Sequence, residues 1–306
     1  MTTRTPIERV PIKIRKPIHK EFCSCWNTQV LSITGVPYLI MGDDLSLDEL
    51  HKLLDTLDTT TGFFFSEHIS KSREKIMLVL SKKLPVTVRT KCALPTDMID
   101  ALRGVPHSSI QVSINFLDDF LRNRLEPESS DLFDLREMMS IAKSYKIFVV
   151  LMMDYMPHLS SKLDLYEVID MTKNYVSHML LRFPSVRDED LYDTYRTQWE
   201  ALKPHYSDIF KQYYVANVPY RTWEIRPKYK KALTKELQEY LKPKKVGLEV
   251  TDLWYSKNRV RQVASGLCEL PMGMRHFYYK KEDGVFTKVP DMPDHVCKTC
   301  EKPMFV

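Results

Sequence analysis

Four of the six cysteines in this 306-residue chain come in two close pairs, Cys23 with Cys25 and Cys297 with Cys300. A CxxC turn lets two thiolates share one tetrahedral ion. A second close pair completes four ligands, so Cys23, Cys25, Cys297 and Cys300 form a candidate site for zinc or an iron–sulfur cluster. Cys268, His276 and His295 are further donors. Ordinary loop or buried thiols would show the same spacing. In a reducing, cytoplasmic setting neither pair is expected as a structural disulfide. A second set of reactive side chains follows apolar runs. Ser66, Glu67 and His68 follow Phe63–Phe65, Lys91 and Cys92 follow Val86–Thr90, Asn115 follows Ile110–Ile114, and Asp154 and Tyr155 follow Ile147–Met153. Of these, Cys92 and Tyr155 are the catalytic candidates, because a thiol or a phenol can give a hydrogen atom to a substrate radical. A buried cysteine is also a small hydrophobe.

The runs that carry these residues have strand length and are separated by helix-length polar segments. Repeated βα units imply an α/β fold with a parallel sheet. The reading is a partial or complete β/α (TIM-like) barrel. Equivalent ends of parallel strands share one edge, so Ser66, Lys91, Asn115 and Asp154 are expected around a common cavity. Ser46 followed by Glu49 reads as a capping box that opens a helix with leucines at 47, 50, 53, 54 and 57. Further helices are expected over 71–83, 97–103, 118–124, 131–145 and 164–174, and strands over 30–33, 38–41 and 176–183. Residues 1–28 form a basic arm, 29–185 the barrel-like domain, and 186–306 an aromatic-rich, mostly helical extension that ends in the CxxC.

The order of motifs resembles the radical SAM enzymes, in the branch around spore photoproduct lyase and related DNA-repair-photolyase-like proteins. The resembling residues are Thr90-Lys91, Ser113-Ile114-Asn115, Leu125-Glu126-Pro127 and Met156-Pro157. The resemblance implies a [4Fe–4S] cluster and S-adenosylmethionine as cofactors, with Ser66, Lys91, Asn115 and Glu126 lining the cofactor pocket. It also implies lyase or modification chemistry on a nucleic-acid base. Glu126 would take the amino group of S-adenosylmethionine or pair with a helix arginine, Arg122 or Arg124. The family's three-cysteine loop, with spacings of three and two residues, is absent, and Cys23-Ser24-Cys25 stands near its place. The alternative is a barrel without the radical cluster, acting as a zinc-stabilised nucleic-acid-binding or accessory protein.

Composition narrows the classes. Glycine is scarce, 8 of 306 residues, and there is no GxGxxG or P-loop to cradle phosphates. No apolar run of about 18 residues exists, so no membrane span is expected. The net charge of +5 is mildly basic and permits a nucleic-acid partner. Cations and aromatics cluster at Arg4, Arg9, Lys13, Arg15, Lys16 and Lys20, and again at Tyr220, Arg221, Trp223, Arg226, Lys228, Tyr229, Lys230 and Lys231. Such residues neutralise phosphates and stack on bases.

Overall fold

In a computed structural model, the residues described are 30–32, 37–41, 46–57, 59–60, 62–65, 69–126, 128–157, 159–184, 186–187, 211–217, 222–256, 259–263 and 279–288. The basic arm and all four paired cysteines lie outside them, as do Ser66, Glu67, His68, Cys268, His276 and His295.

The main sheet is built from β1 (Val30–Ser32), β2 (Pro37–Met41), β4 (Phe63–Phe65), β5 (Val86–Thr90), β6 (Ser109–Ser113), β7 (Phe148–Asp154), β8 (His178–Pro184), β12 (Gly247–Ser256) and β13 (Arg259–Val263), in that order. From β2 to β12 every neighbouring pair is parallel. β1 and β13 pair antiparallel at the two edges. Among the described residues these edges do not pair with each other, so the barrel is partial.

Helices α1 (Leu47–Thr56), α2 (Ile69–Ser81), α3 (Thr96–Arg103), α4 (Asp119–Leu125), α5 (Leu132–Ser144) and α6 (Lys162–Thr172) lie between the strands, as parallel connections require. Four of them, α1, α4, α5 and α6, start on a side-chain cap. Ser46 and Glu49 form the expected capping box on α1, and Ser161 and Asp164 form one on α6. Asp118 and Asp131 cap α4 and α5. Every residue of β5 and β6 is buried, as expected for strands covered on both faces. The faces differ. Val86, Val88, Ile110, Val112, Val149, Leu151, Met153, Met179 and Leu181 turn into the main core with the helix leucines and methionines. The alternate residues of β7 and β8 (Val150, Met152 and Leu180) form a small separate cluster. On β5 and β6 the same alternation places Thr87, Arg89, Ser109, Gln111 and Ser113, all buried.

The segment read as a helical extension corrects that expectation. It supplies one long helix, α7 (Pro227–Leu241), but also the strand β12 of the main sheet. Helix α7 is the crossover between parallel strands β8 and β12, and it buries Leu233, Leu237 and Leu241. Strands β10 (Tyr214–Asn217) and β11 (Thr222–Ile225) pair with β9 (Val186–Arg187) in a small antiparallel sheet. The hairpin β14 (Tyr279–Glu282) and β15 (Val285–Lys288) joins β3 (Thr59–Thr60). There Lys281 Nζ donates to the carbonyls of Leu54 (2.9 Å) and Asp55 (2.7 Å) at the end of α1, where a cation meets the negative end of the helix.

Gly247 opens β12 opposite His178. A Cβ there would meet the imidazole Nε2 at 2.4 Å. Gly247→Ala should lower stability by about 1–3 kcal/mol, the usual cost of overpacking, and His178→Ala in the same background should restore most of it. Urea unfolding of the single and double variants checks this. An unaltered midpoint for Gly247→Ala would contradict the close β8–β12 approach.

Candidate functional site

The ends of β5, β6, β7 and β8 carry a continuous polar chain. After β5, Thr90 Oγ1 accepts from Cys92 N (2.9 Å) and donates to Cys92 O (2.7 Å), which fixes a tight turn. That turn is stitched to the loop after α4. Ser130 N donates to Lys91 O (3.1 Å), Ala93 N donates to Ser130 Oγ (2.9 Å), and Cys92 Sγ donates to Glu128 O (2.9 Å). The stitching brings the C-cap of α4, Glu126, beneath the strand ends. Its Oε1 accepts from Lys91 Nζ (2.6 Å) and from Asn115 Nδ2 (2.7 Å). Asn115 Oδ1 in turn accepts the backbone N–H of Asp154 (2.8 Å). Asp154 takes Arg182 in a two-pronged ion pair, Nε at 2.5 Å and Nη2 at 2.6 Å. Tyr155 N donates to Arg182 O (2.9 Å), and the Tyr155 hydroxyl lies 3.0 Å from that of Tyr229 on α7.

The chain is dry. The side chains of Glu126 and Arg182 are 1 % exposed and that of Lys91 is 13 % exposed. Burial pushes the Cys92 thiol and the Tyr155 and Tyr229 phenols up from their ordinary values. Cys92 is therefore S–H rather than thiolate at neutral pH, and both phenols are neutral. Three buried atoms have no hydrogen-bond partner among the described residues: Glu126 Oε2, Ser113 Oγ and Arg122 Nη1. Ser113 is on the polar face of β6, in line with Ser109 and Gln111.

Of the residues singled out from sequence, Lys91, Asn115 and Glu126 come together directly, and Asp154 joins them through Asn115. Cys92 adjoins the same loop. Tyr155 lies at the neighbouring strand end and points towards α7, with Tyr213 packed edge-on against Tyr229 at 4.9 Å. Arg122 does not pair with Glu126. Its Nη2 donates to Ser130 O and, at 3.3 Å, to Ser129 Oγ. In the basic cluster, Arg226 is occupied by the carbonyls of Gln212 (3.1 Å) and Lys211 (3.0 Å), while Tyr220 and Arg221 lie outside the described residues. Sequence reading missed Arg182. Its signal was a lone cation inside the apolar run 179–183, which must be paired if buried. Among the described residues no group of three or more His, Cys, Asp or Glu side chains could hold a metal. No described helix is long and apolar enough to cross a membrane.

The site thus sits at the carboxyl ends of a parallel sheet in an α/β, partial-barrel protein. No family model and no curated protein matches the chain. Among solved structures it is similar to Streptococcus suis SuiB bound to S-adenosylmethionine, with a TM-score of 0.42 and 11% identity over 66% of this chain. The chain spans 41% of SuiB's length. It is also similar to spore photoproduct lyase complexed with dinucleoside spore photoproduct, with a TM-score of 0.46 and 12% identity over 70% of this chain and 69% of that one. A domain of pyruvate-formate lyase-activating enzyme from Bacteroides vulgatus ATCC 8482 gives a TM-score of 0.31 and 8% identity, over 44% of this chain and 86% of that domain. At these TM-scores the likeness assigns no activity, ligand or substrate to this chain.

Breaking a buried pair leaves a bare charge. Asp154→Ala should therefore cost about 3–5 kcal/mol of stability, while the apolar pair Asp154→Leu with Arg182→Met should recover most of the loss. Chemical denaturation tests this. A single variant that unfolds with the wild type would show that Arg182 is not held by Asp154.

Proposed function

We propose that the chain is a divergent radical SAM-like enzyme that binds S-adenosylmethionine at the strand ends, with Glu126 Oε2 accepting from the ligand's ammonium group. The observation that carries this reading is the division of labour on one buried carboxylate. Oε1 holds two donors, and Oε2 has none among the described residues. A buried acceptor left unmatched costs about 1–3 kcal/mol, more when it is charged. A cationic ligand group removes that cost. Lys91 supplies a positive charge beside it, suited to a carboxylate, and Ser113 Oγ is a second buried group without a partner among the described residues. Ser66, given the same role by resemblance, lies outside the described residues.

A [4Fe–4S] cluster held by the paired cysteines would, when supplied with one electron by an external reductant, provide radical chemistry on S-adenosylmethionine bound at this edge. This chain's own contribution at that edge is a protonated Cys92 thiol and a neutral Tyr155 phenol, each able to give up a hydrogen atom. The cluster ligands assigned from sequence are Cys23, Cys25, Cys297 and Cys300. Because the three-cysteine loop is missing, a second reading stands beside the first: the same cysteines hold zinc, and the protein is a nucleic-acid-binding or accessory protein.

The partner in both readings is nucleic acid, with a base as the target of the enzyme. The first turn of α7 supports it. Lys228, Lys230 and Lys231 gather at the positive end of the helix with no acid in that turn. That placement works against helix stability but suits phosphates, while Trp223 and Tyr229, assigned to stacking from sequence, pack partly against the core.

Titration calorimetry with S-adenosylmethionine should show saturable binding that Glu126→Gln weakens roughly 10- to 100-fold, the worth of one charge-assisted hydrogen bond. No binding by the wild type, or equal binding by the variant, would sink the first reading. Anaerobically purified protein with roughly four irons per chain supports the enzyme, and zinc without iron supports the second reading. Cys297→Ser with Cys300→Ser should release the metal in either case, and unchanged metal content would remove both assignments.

A further inference from the structure

We infer that the flank of the strand-end edge formed by α4 and α5 is a docking surface for a basic peptide segment of a partner protein, one that carries apolar side chains between its cations. Five large hydrophobic residues are exposed among the described residues, and three of them stand at equivalent places. Phe120 is 63% exposed, Phe133 73% and Leu163 72%. Each is the second residue of its helix, α4, α5 and α6 respectively. Helices α4 and α6 begin where β6 and β7 end. Helix α5 runs back to the start of β7, so its first turn lies at that same edge. None of the three side chains is needed by the core. Helix α5 buries Leu135, Met138, Met139 and Ala142, and α6 buries Leu165, Val168, Ile169 and Thr172. Two largely exposed phenylalanines at one edge are a surface that contact would cover.

Charge selects the occupant. From Asp118 to Glu137, the stretch that carries Phe120 and Phe133, the exposed acidic side chains are Asp118, Asp119, Glu128, Asp131, Asp134 and Glu137, against one exposed described cation, Arg136. Asp118 and Asp131 are committed as helix caps. The carboxylates of Asp119 and Asp134 make no hydrogen bond or ion pair among the described residues. The cations of that stretch whose side chains are described, Arg122 and Arg136, are fewer than these acids, although Arg122 lies within electrostatic reach of Asp119 and Asp131. Arg122 is buried on Ser130 O, and Arg136 leans on Tyr175, its Nε donating to the hydroxyl at 3.3 Å. An acidic field around exposed aromatics repels phosphates and attracts lysine and arginine, and a phenylalanine face adds cation–π attraction. A nucleic acid does not fit this flank. It fits the opposite one, where α7 presents its lysines. The edge is therefore divided, basic by β8 and α7, acidic and apolar by β6, α4 and α5. This inference does not depend on which ligand occupies Glu126.

The probe is a labelled synthetic peptide of alternating lysine and isoleucine, followed by fluorescence anisotropy with the full chain. Wild type should bind it with an affinity that falls as salt rises. Phe120→Ser with Phe133→Ser should weaken binding roughly tenfold or more, as for loss of central aromatic anchors. Asp119→Asn with Asp134→Asn, which leaves both caps in place, should weaken it and flatten the salt dependence. Both variants change exposed side chains and should melt with the wild type. The proposal is overturned by absence of binding or by equal affinity in both variants. It is also overturned if a single-stranded oligonucleotide displaces the peptide in a manner that depends on Phe120 and Phe133.

Discussion

A carboxylate taken out of water must be met by donors, and the strand-end edge of this protein is organised around one that is only half met. Glu126 reaches its place because the loop after α4 is sewn to the turn after β5 through Ser130, Ala93, Cys92 and Glu128. Lys91 and Asn115 then converge on a single oxygen of Glu126. Two donors on Oε1 fix the orientation of the carboxylate, and that orientation keeps Oε2 buried with no partner among the described residues. Buried polar networks rigidify a site when they are satisfied and are costly when they are not. Here one oxygen of the carboxylate is held and the other is not, in an otherwise ordered chain of contacts, the form a preorganised ligand site takes.

The scaffold beneath that atom is the run of parallel strands. Because β5 to β8 point the same way, their last residues fall on one edge, and the polar chain passes from Lys91 to Arg182 without leaving it. Arg182, buried in β8, is held by Asp154, and Asp154 in turn offers its N–H to Asn115. Removing the ion pair would therefore loosen the side chain that orients Glu126. The crossover helix α7 is tied to the same edge by the Tyr155–Tyr229 contact and to α6 by Lys162 with Glu236 and by Tyr240 with Asp170. The hydrogen bond to Asp170 holds the Tyr240 phenol up at about 12, so this tie persists across the neutral range.

The repeating units were legible in the sequence because apolar runs of strand length and capped helices alternate with little ambiguity. Ser46 and Glu49 form the capping box their spacing implies, and the helices expected to open at Asp118 and Asp131 do so. The gathering of Lys91, Asn115 and Asp154 followed from strand direction alone. Other features depend on contacts distant in sequence and were not legible. Gly247 to Ser256 reads as irregular until β8 supplies a parallel neighbour. Arg182 looks like an interruption of an apolar run until Asp154 is opposite it. Arg122, one helical turn before Glu126, reads as its ion-pair partner, yet the loop carbonyl of Ser130 captures it. That capture is what leaves Oε2 open. The thiol pairs are legible as spacing only, since spacing does not say which partners come within reach of one ion.

The most direct measurement is a crystal structure of the protein with S-adenosylmethionine bound. The ligand nitrogen should lie roughly 2.7–3.2 Å from Glu126 Oε2, within ordinary hydrogen-bond range, with Lys91 and Asn115 still on Oε1. A ligand seated away from the ends of β5 and β6, or a Glu126 turned to pair with Arg122 while the ligand is bound, would contradict it.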